Sequence, residues 1–244
     1  MYSLNKNFDP FQIEIDQNNE NLKFDADVEM NNIFINVPEI NYKKNFGEFS
    51  KVSLIGEYNS NKEIRLDQVL YLDKTNQVQL NNLAISKNDK IKELDELEME
   101  FKGKNLINQI KLYKKNQKYI LDVNSYDGTK MINNLLKNKS QRSFLNNFKN
   151  LNEKIDIKID QFYIDKFNYL SNLNGNIEIK NNKIIYGNLN ALINNTNIFK
   201  LNIRTNKKKE KLTNIFINKP SSFIKKYKFI KGFKEGILEY ESVN

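Results

Sequence analysis

The chain is expected to be mainly β, a long antiparallel sheet with a few short amphipathic helices, and three observations carry that expectation. Apolar residues recur at every second position over most of the length, as in "NGNIEIKNNKIIYGNLNALINN" (residues 174–195), the period of a strand with one wet and one dry face. Short clusters of Asn, Asp, Lys and Gly separate the alternating runs, as hairpin connections require. Only three short segments carry helical spacing instead.

In "FQIEI", Phe11, Ile13 and Ile15 fall on one face, and "LKFDADVEM" does the same with Leu22, Phe24, Ala26, Val28 and Met30. The pattern returns in "IFINV" (33–37), "FSKVSLIGEY" (49–58), "IRLDQVLYL" (64–72), "VQLNNLAI" (78–85), "LEMEF" (97–101), "NQIKLY" (108–113) and "KYILDV" (118–123). Neighbours so closely connected are most simply antiparallel, which makes a meander.

The middle breaks the pattern. Met131, Ile132, Leu135 and Leu136 share one helical face, and Phe144, Leu145, Phe148 and Leu151 another, with Thr129 and Ser140 as N-caps. Strands resume at "IDIKIDQFYI" (155–164), the hairpin turning at Asn181-Asn182-Lys183, "IFKLNIR" (198–204) and "LTNIFIN" (212–218). A third helix over 221–231 carries Phe223, Ile224, Tyr227 and Ile230 on a stripe and ends at Gly232, before a last strand in "GILEYES". The chain thus divides into a repetitive β segment (1–124), a helical insertion (125–151) and a second β segment (152–244). Three short helices cannot cover a dozen strands, so the apolar face either packs on another sheet or curls around an apolar cargo.

Composition removes whole classes of chemistry. The 244 residues include no Cys and no His, which excludes disulfides, thiolate nucleophiles, the usual zinc sites and imidazole acid–base pairs. No cofactor is expected, and no enzyme activity. Residues 1–100 hold 11 Lys and Arg against 19 Asp and Glu, net −8, whereas 101–244 hold 28 against 11, net +17. Arg65, Arg142 and Arg204 are the only arginines, too few for the bidentate contacts of a nucleic-acid reader. Codon bias accounts for the abundant Lys, Asn and Ile, and no nucleic-acid partner is expected. The start lacks the basic, continuously apolar character of a signal peptide, and no run reaches the length of a membrane helix. Either the protein is cytoplasmic or the sequence is a piece of a longer exported chain, and opening directly into a strand pattern favours the second expectation.

Other motifs have plain readings. Glu96, Glu98 and Glu100 alternate along one strand face near Lys92 and Lys102, a solvated outer face rather than a carboxylate pair for glycoside hydrolysis. The run "RTNKKKEKL" (204–212) is a hairpin tip, "NSYDG" is too short for a calcium loop, and the 221–231 helix is a plug for one end of the apolar sheet.

The order "LDVNSYDGTKMINNLL", a helix, then "INKPSSFIKKYKFIKGFKEGILEY" resembles the conserved region of AsmA-like proteins, the bacterial group that includes YhdP and TamB. There a strand leads through a small-residue and Asp turn into a helix, and later a strand, a short helix and a Gly-rich turn lead into an apolar-x-apolar strand. The matching pieces are Asp122 to Leu136 and Ile215 to Tyr240, with Gly232 and Gly236; Lys219-Pro220 stands where the group commonly has a small or acidic residue. The resemblance implies a long, twisted, taco-like sheet, an open groove that shelters phospholipid acyl chains. It also implies a periplasmic place in an inner-membrane-anchored chain, the anchor lying outside this sequence, and a part in phospholipid transport between inner and outer membranes.

On that reading the groove is lined by Ile155, Ile157, Ile159, Ile177, Ile179, Leu189, Ala191, Ile193, Leu201, Ile203, Ile215 and Ile217. The competing class is a structural or adhesion β-sandwich, in which the same residues form a sealed core between two sheets.

Overall fold

The computed structural model describes all residues except 1–8, 19–20, 38–39, 41, 60–62, 103–106, 130–143, 207, 209, 222–235 and 244. Fourteen strands hydrogen-bond in one sheet with two free ends, in the order β1-β2-β5-β6-β7-β8-β9-β10-β11-β12-β13-β14-β15-β16, so the sheet does not close. The expected mainly β, mostly antiparallel architecture is the one observed. Among the described residues the only other sheet is the two-stranded ribbon of β3 (Ile35–Val37) and β4 (Tyr42–Lys44). A sandwich needs a second sheet of comparable size, and the described residues hold none. The chain forms two compact units, residues 1–111 with 147–149 and residues 112–146 with 150–244.

The first unit contains β1 (Phe11–Asn18), β2 (Asn21–Glu29), β5 (Ser50–Tyr58), β6 (Ile64–Asp73), β7 (Gln77–Ile85) and β8 (Ile91–Lys102). Antiparallel register converts period-two alternation into rows that cross the strands. One row runs Ile15, Phe24, Gly56, Leu66, Leu83, Leu94. A second runs Ile13, Ala26, Leu54, Val69, Leu80, Leu97, and a third Phe11, Val28, Val52, Tyr71, Val78, Met99. Leu66, Leu83 and Leu94 are the buried centre, with Phe24, Ile64, Val69 and Leu97 packed against them.

"IFINV" does not join this sheet, because β2 pairs directly with β5. Its last three residues instead pair with β4, a strand with no alternation to announce it, as Ile35 with Lys44 and Val37 with Tyr42. The ribbon is held by polar contacts. Lys44, 2% exposed, donates to the carbonyls of Ile33 at 2.9 Å, Asn31 at 3.1 Å and Asn45 at 3.3 Å. Asn31 accepts from the amide of Ser50 at 3.1 Å, fixing the ribbon to the start of β5.

The strand β9 (Ile107–Lys115) spans the boundary between the units. The second unit contains β10 (Lys118–Asp127), β11 (Glu153–Tyr163), β12 (Tyr169–Lys180), β13 (Lys183–Ile193), β14 (Asn197–Thr205), β15 (Lys211–Ile217) and β16 (Leu238–Val243). From β11 to β16 neighbours are antiparallel, but β10 and β11 are parallel, Tyr119 opposite Ile155 and Val123 opposite Ile159. Parallel neighbours need a long crossover, which residues 128–152 supply.

Of the expected helices, those over 129–136 and 221–231 lie outside the described residues but for Thr129 and Ser221. The one placed on Phe144, Leu145, Phe148 and Leu151 is corrected. Phe144–Asn147 forms a single 3-10 turn, after which Phe148 makes a β-bridge to Ile91. The Lys149 amide donates to the Ile91 carbonyl at 2.8 Å, and the Leu151 amide to the side chain of Asn182 at 2.6 Å. Partners on β8 and in the turn between β12 and β13 draw this backbone out of the helix that its spacing suggests.

Asparagine has a conformational task in the turns. The two-residue loops Asn116-Gln117 and Asn181-Asn182 take φ of 50° and 62°, and 49° and 61°. This is the left-handed pair that a tight hairpin demands and that Asn tolerates best after Gly.

Candidate functional site

The twelve candidate groove residues all lie on the second unit, and the register brings them to one face. One row runs Leu121, Ile157, Gly175, Leu189, Leu201, Ile215, Tyr240 across seven strands. The next runs Tyr119, Ile155, Ile177, Gly187, Ile203, Thr213, Ser242. A third joins Val123, Ile159 and Leu173, and continues past a bulge in β12 as Ala191, Phe199, Ile217 and Leu238. Ile179 stands two residues beyond Ile177 on β12, opposite Ile184, and Ile193 two beyond Ala191, opposite Leu170 and Asn197. Six gaps of about 4.8 Å make each full row roughly 29 Å long. That is about twice half of a bilayer's ~30 Å hydrocarbon core, the depth that one extended acyl chain spans.

Burial is graded across this face. Ile193, Ile179, Ile217, Ala191 and Ile159 are buried, whereas Ile155, Ile157, Ile177, Leu189, Leu201, Ile203 and Ile215 are only half-buried. A sealed core hides its central residues as completely as its flanks; here the two middle rows, Tyr119 and Gly187 apart, are the more open ones.

Reasoning from alternation missed several members of the face. Tyr119, Leu121 and Val123 join it through the parallel β10–β11 pairing, which the sequence does not announce, and Leu173 through a bulged strand. Phe199, Leu238 and Tyr240 were legible, since each stands in alternation within its own run. The three rows of the first unit are a second face of the same kind.

Bulges and glycines shape both faces. Register shifts fall between Ile55 and Gly56 on β5, and on β12 between Ser171 and Asn174 and between Glu178 and Ile179. A Cβ at Gly56 would lie 2.2 Å from the Arg65 carbonyl oxygen, and one at Gly175 1.9 Å from that of Asn188. Bulges bend the strand that carries them and sharpen its twist, and a side chain would force such close backbones apart.

The opposite face is mainly polar. In the second unit Asp156, Asn176, Asn188, Asn202, Asn214 and Glu241 form a row behind the apolar ones. In the first, the alternating glutamates are an outer face as expected, with different partners. Lys111 bonds Glu98 and lies 3.0 Å from Glu96, while Lys92 bonds Glu63 at 2.6 Å. Lys111 and the Asn81 amide hold the Glu96 carboxyl below the usual carboxylate range, and Glu98 with Glu96 raises the Lys111 ammonium. A carboxylate kept ionised by a cation is no proton donor near neutral pH. Among the described residues no group of three or more acidic side chains is placed to hold a metal ion, and no helix is long and apolar enough to cross a membrane.

At the ribbon, Tyr42 bonds the hydroxyl of Tyr71 and donates to Asp73 at 2.6 Å. This fastens the ribbon at Tyr71, within the Phe11 to Met99 row. Burial pushes the Asp73 carboxyl up, but donors from Tyr42, Thr75 and Asn76 outweigh it and leave it below its ordinary value. A carboxylate whose pKa falls on folding stabilises the fold above its unfolded pKa of about 3.9, and that contribution fades as pH drops through and below this value. Melting temperature followed from pH 7 to pH 3 should therefore fall less steeply for Asp73→Asn than for the parent. Parallel acid limbs would show that the carboxylate does not fasten the ribbon.

No family model, curated protein or solved structure matches the chain.

Proposed function

We propose that this protein binds phospholipid acyl chains along its open apolar sheet face. On this reading it contributes to phospholipid transport between inner and outer membranes, as a periplasmic β-groove protein of the AsmA-like kind within an inner-membrane-anchored chain. The observation that supports acyl binding is the half-buried state of the isoleucines and leucines of the two full rows in the second unit, in a structure whose described residues hold no second sheet of comparable size. The envelope placement rests on the resemblance of residues 120–240 to that group.

The chemistry suits passage rather than capture. Apolar contact is non-directional and contributes about 0.8 kcal/mol per buried methylene, so ten half-covered methylenes gain roughly 4 kcal/mol. Within the rows from Leu121 to Ile215 and from Ile155 to Ile203 the side chains are apolar or absent. Nothing there fixes an acyl chain in one register, and each step along a row replaces one apolar contact with another. The chain can slide while its polar end stays in water.

A photo-crosslinking residue at position 189 should capture phospholipid from vesicles or from cells. The same residue at position 188, beside Asn176 and Asn202 on the polar face, should not. Crosslinks from 189 only to other parts of the protein would end the lipid reading.

A further inference from the structure

The sheet ends in β1 with an apolar face that continues to its margin. Phe11, Ile13 and Ile15 extend the three rows of the first unit, yet they are 72%, 46% and 62% exposed. Among the described residues, the other margin of β1 has no partner strand in the sheet. Natural sheets blunt such edges with lysine, proline, a bulge or a very short strand. None is present: "FQIEIDQN" is eight residues long, contains neither Lys nor Pro, and pairs with β2 without a register shift. Three large exposed apolar side chains in a line beside a free strand edge mark an interaction surface.

The opposite face of this margin selects the partner. Glu14 stands opposite Asp25, a like-charge pair, and Asp16, two residues on, stands opposite Lys23. They border a depression of about 410 Å³ that Glu57 and Asp67 also line, with Lys23 as its single cation. A strand added beyond β1 places every second side chain over this acidic face and the alternate ones beside Phe11, Ile13 and Ile15.

A second copy fits poorly. Adding β16 of another molecule sets Glu239 and Glu241 against Glu14 and Asp16, and pairing β1 with β1 gathers both acidic sets on one face. Directly opposed like charges destabilise strand pairs.

We propose that β1 is a strand-addition site for a partner protein whose strand alternates apolar residues with Lys or Arg. The backbone edge supplies affinity, the three apolar residues fix register, and Glu14 with Asp16 select charge. This site is independent of lipid binding.

The test uses the whole chain, in low salt, with two end-blocked octapeptides that alternate isoleucine or valine with lysine or with glutamate. The lysine peptide should bind at least tenfold more tightly, and amides of residues 11–18 should gain protection from hydrogen exchange. In the Glu14→Lys/Asp16→Lys variant, folded as judged by circular dichroism, the preference should reverse. Equal binding of both peptides, binding of neither, or protection away from β1 would overturn the proposal. So would sedimentation as a dimer that Ile13→Lys dissociates, since the occupant would then be a second copy.

Discussion

Ile193→Asp should unfold the second unit, whereas Leu189→Glu, four residues earlier on the same strand and the same face, should leave it folded and unable to take up lipid. Ile193 is 0% exposed, and its neighbours across the sheet are Leu170 and Asn197. An unpaired carboxylate there costs several kcal/mol or must be protonated, against a total stability of about 5–15 kcal/mol for a domain. Leu189 is half-buried, so a glutamate can turn its charge toward water and forfeits only about 1–2 kcal/mol of apolar contact. That charge would still stand in the row proposed for acyl chains. Circular dichroism and urea unfolding report the first effect, and vesicle crosslinking from a neighbouring row position such as 201 the second. Should Leu189→Glu unfold the protein as fully as Ile193→Asp, the face is a sealed core and the lipid reading falls.

The second large effect is expected at Gly175. Its φ of 145° lies where side chains are rarely tolerated, and an added Cβ would meet the Asn188 oxygen at 1.9 Å and its carbonyl carbon at 2.9 Å. Both obstacles are backbone, so Gly175→Ala must push β12 and β13 apart. The strained conformation alone costs about 1–3 kcal/mol, to which lost strand pairing adds. Gly187 on the partner strand is the control: its Cβ would lie 3.5 Å from Ile203 and 3.6 Å from Ile177, ordinary contact that costs under about 1 kcal/mol. Urea midpoints should separate the two variants clearly; equal midpoints would mean that the close approach at Gly175 is not structural.

Much of this protein is written in its period. Alternation placed nearly every strand of the sheet, because a strand with one dry face shows its class in any five residues, and short connections made the meander the simplest order. The polar Asn runs marked the turns, since Asn accepts the left-handed φ of a two-residue hairpin. The twelve candidate residues shared a face within each run for the same reason.

Longer-range partners decided the rest. Phe148 has helical spacing but extends along Ile91, and Leu151 is held by Asn182; neither contact is visible within a few residues of sequence. "IFINV" alternates like a sheet strand, yet Lys44 gathers its carbonyl and those of two neighbouring segments into a separate ribbon. Likewise, alternation cannot tell a face packed against a second sheet from one left open, because both need the same apolar side chains. The sequence by itself determined which residues are dry together; the register, the parallel β10–β11 step and the absence of a second sheet among the described residues decided that Leu189 stays half-exposed while Ile193 is fully buried. Period two is a local property of the backbone, whereas burial depends on what the rest of the chain brings against it.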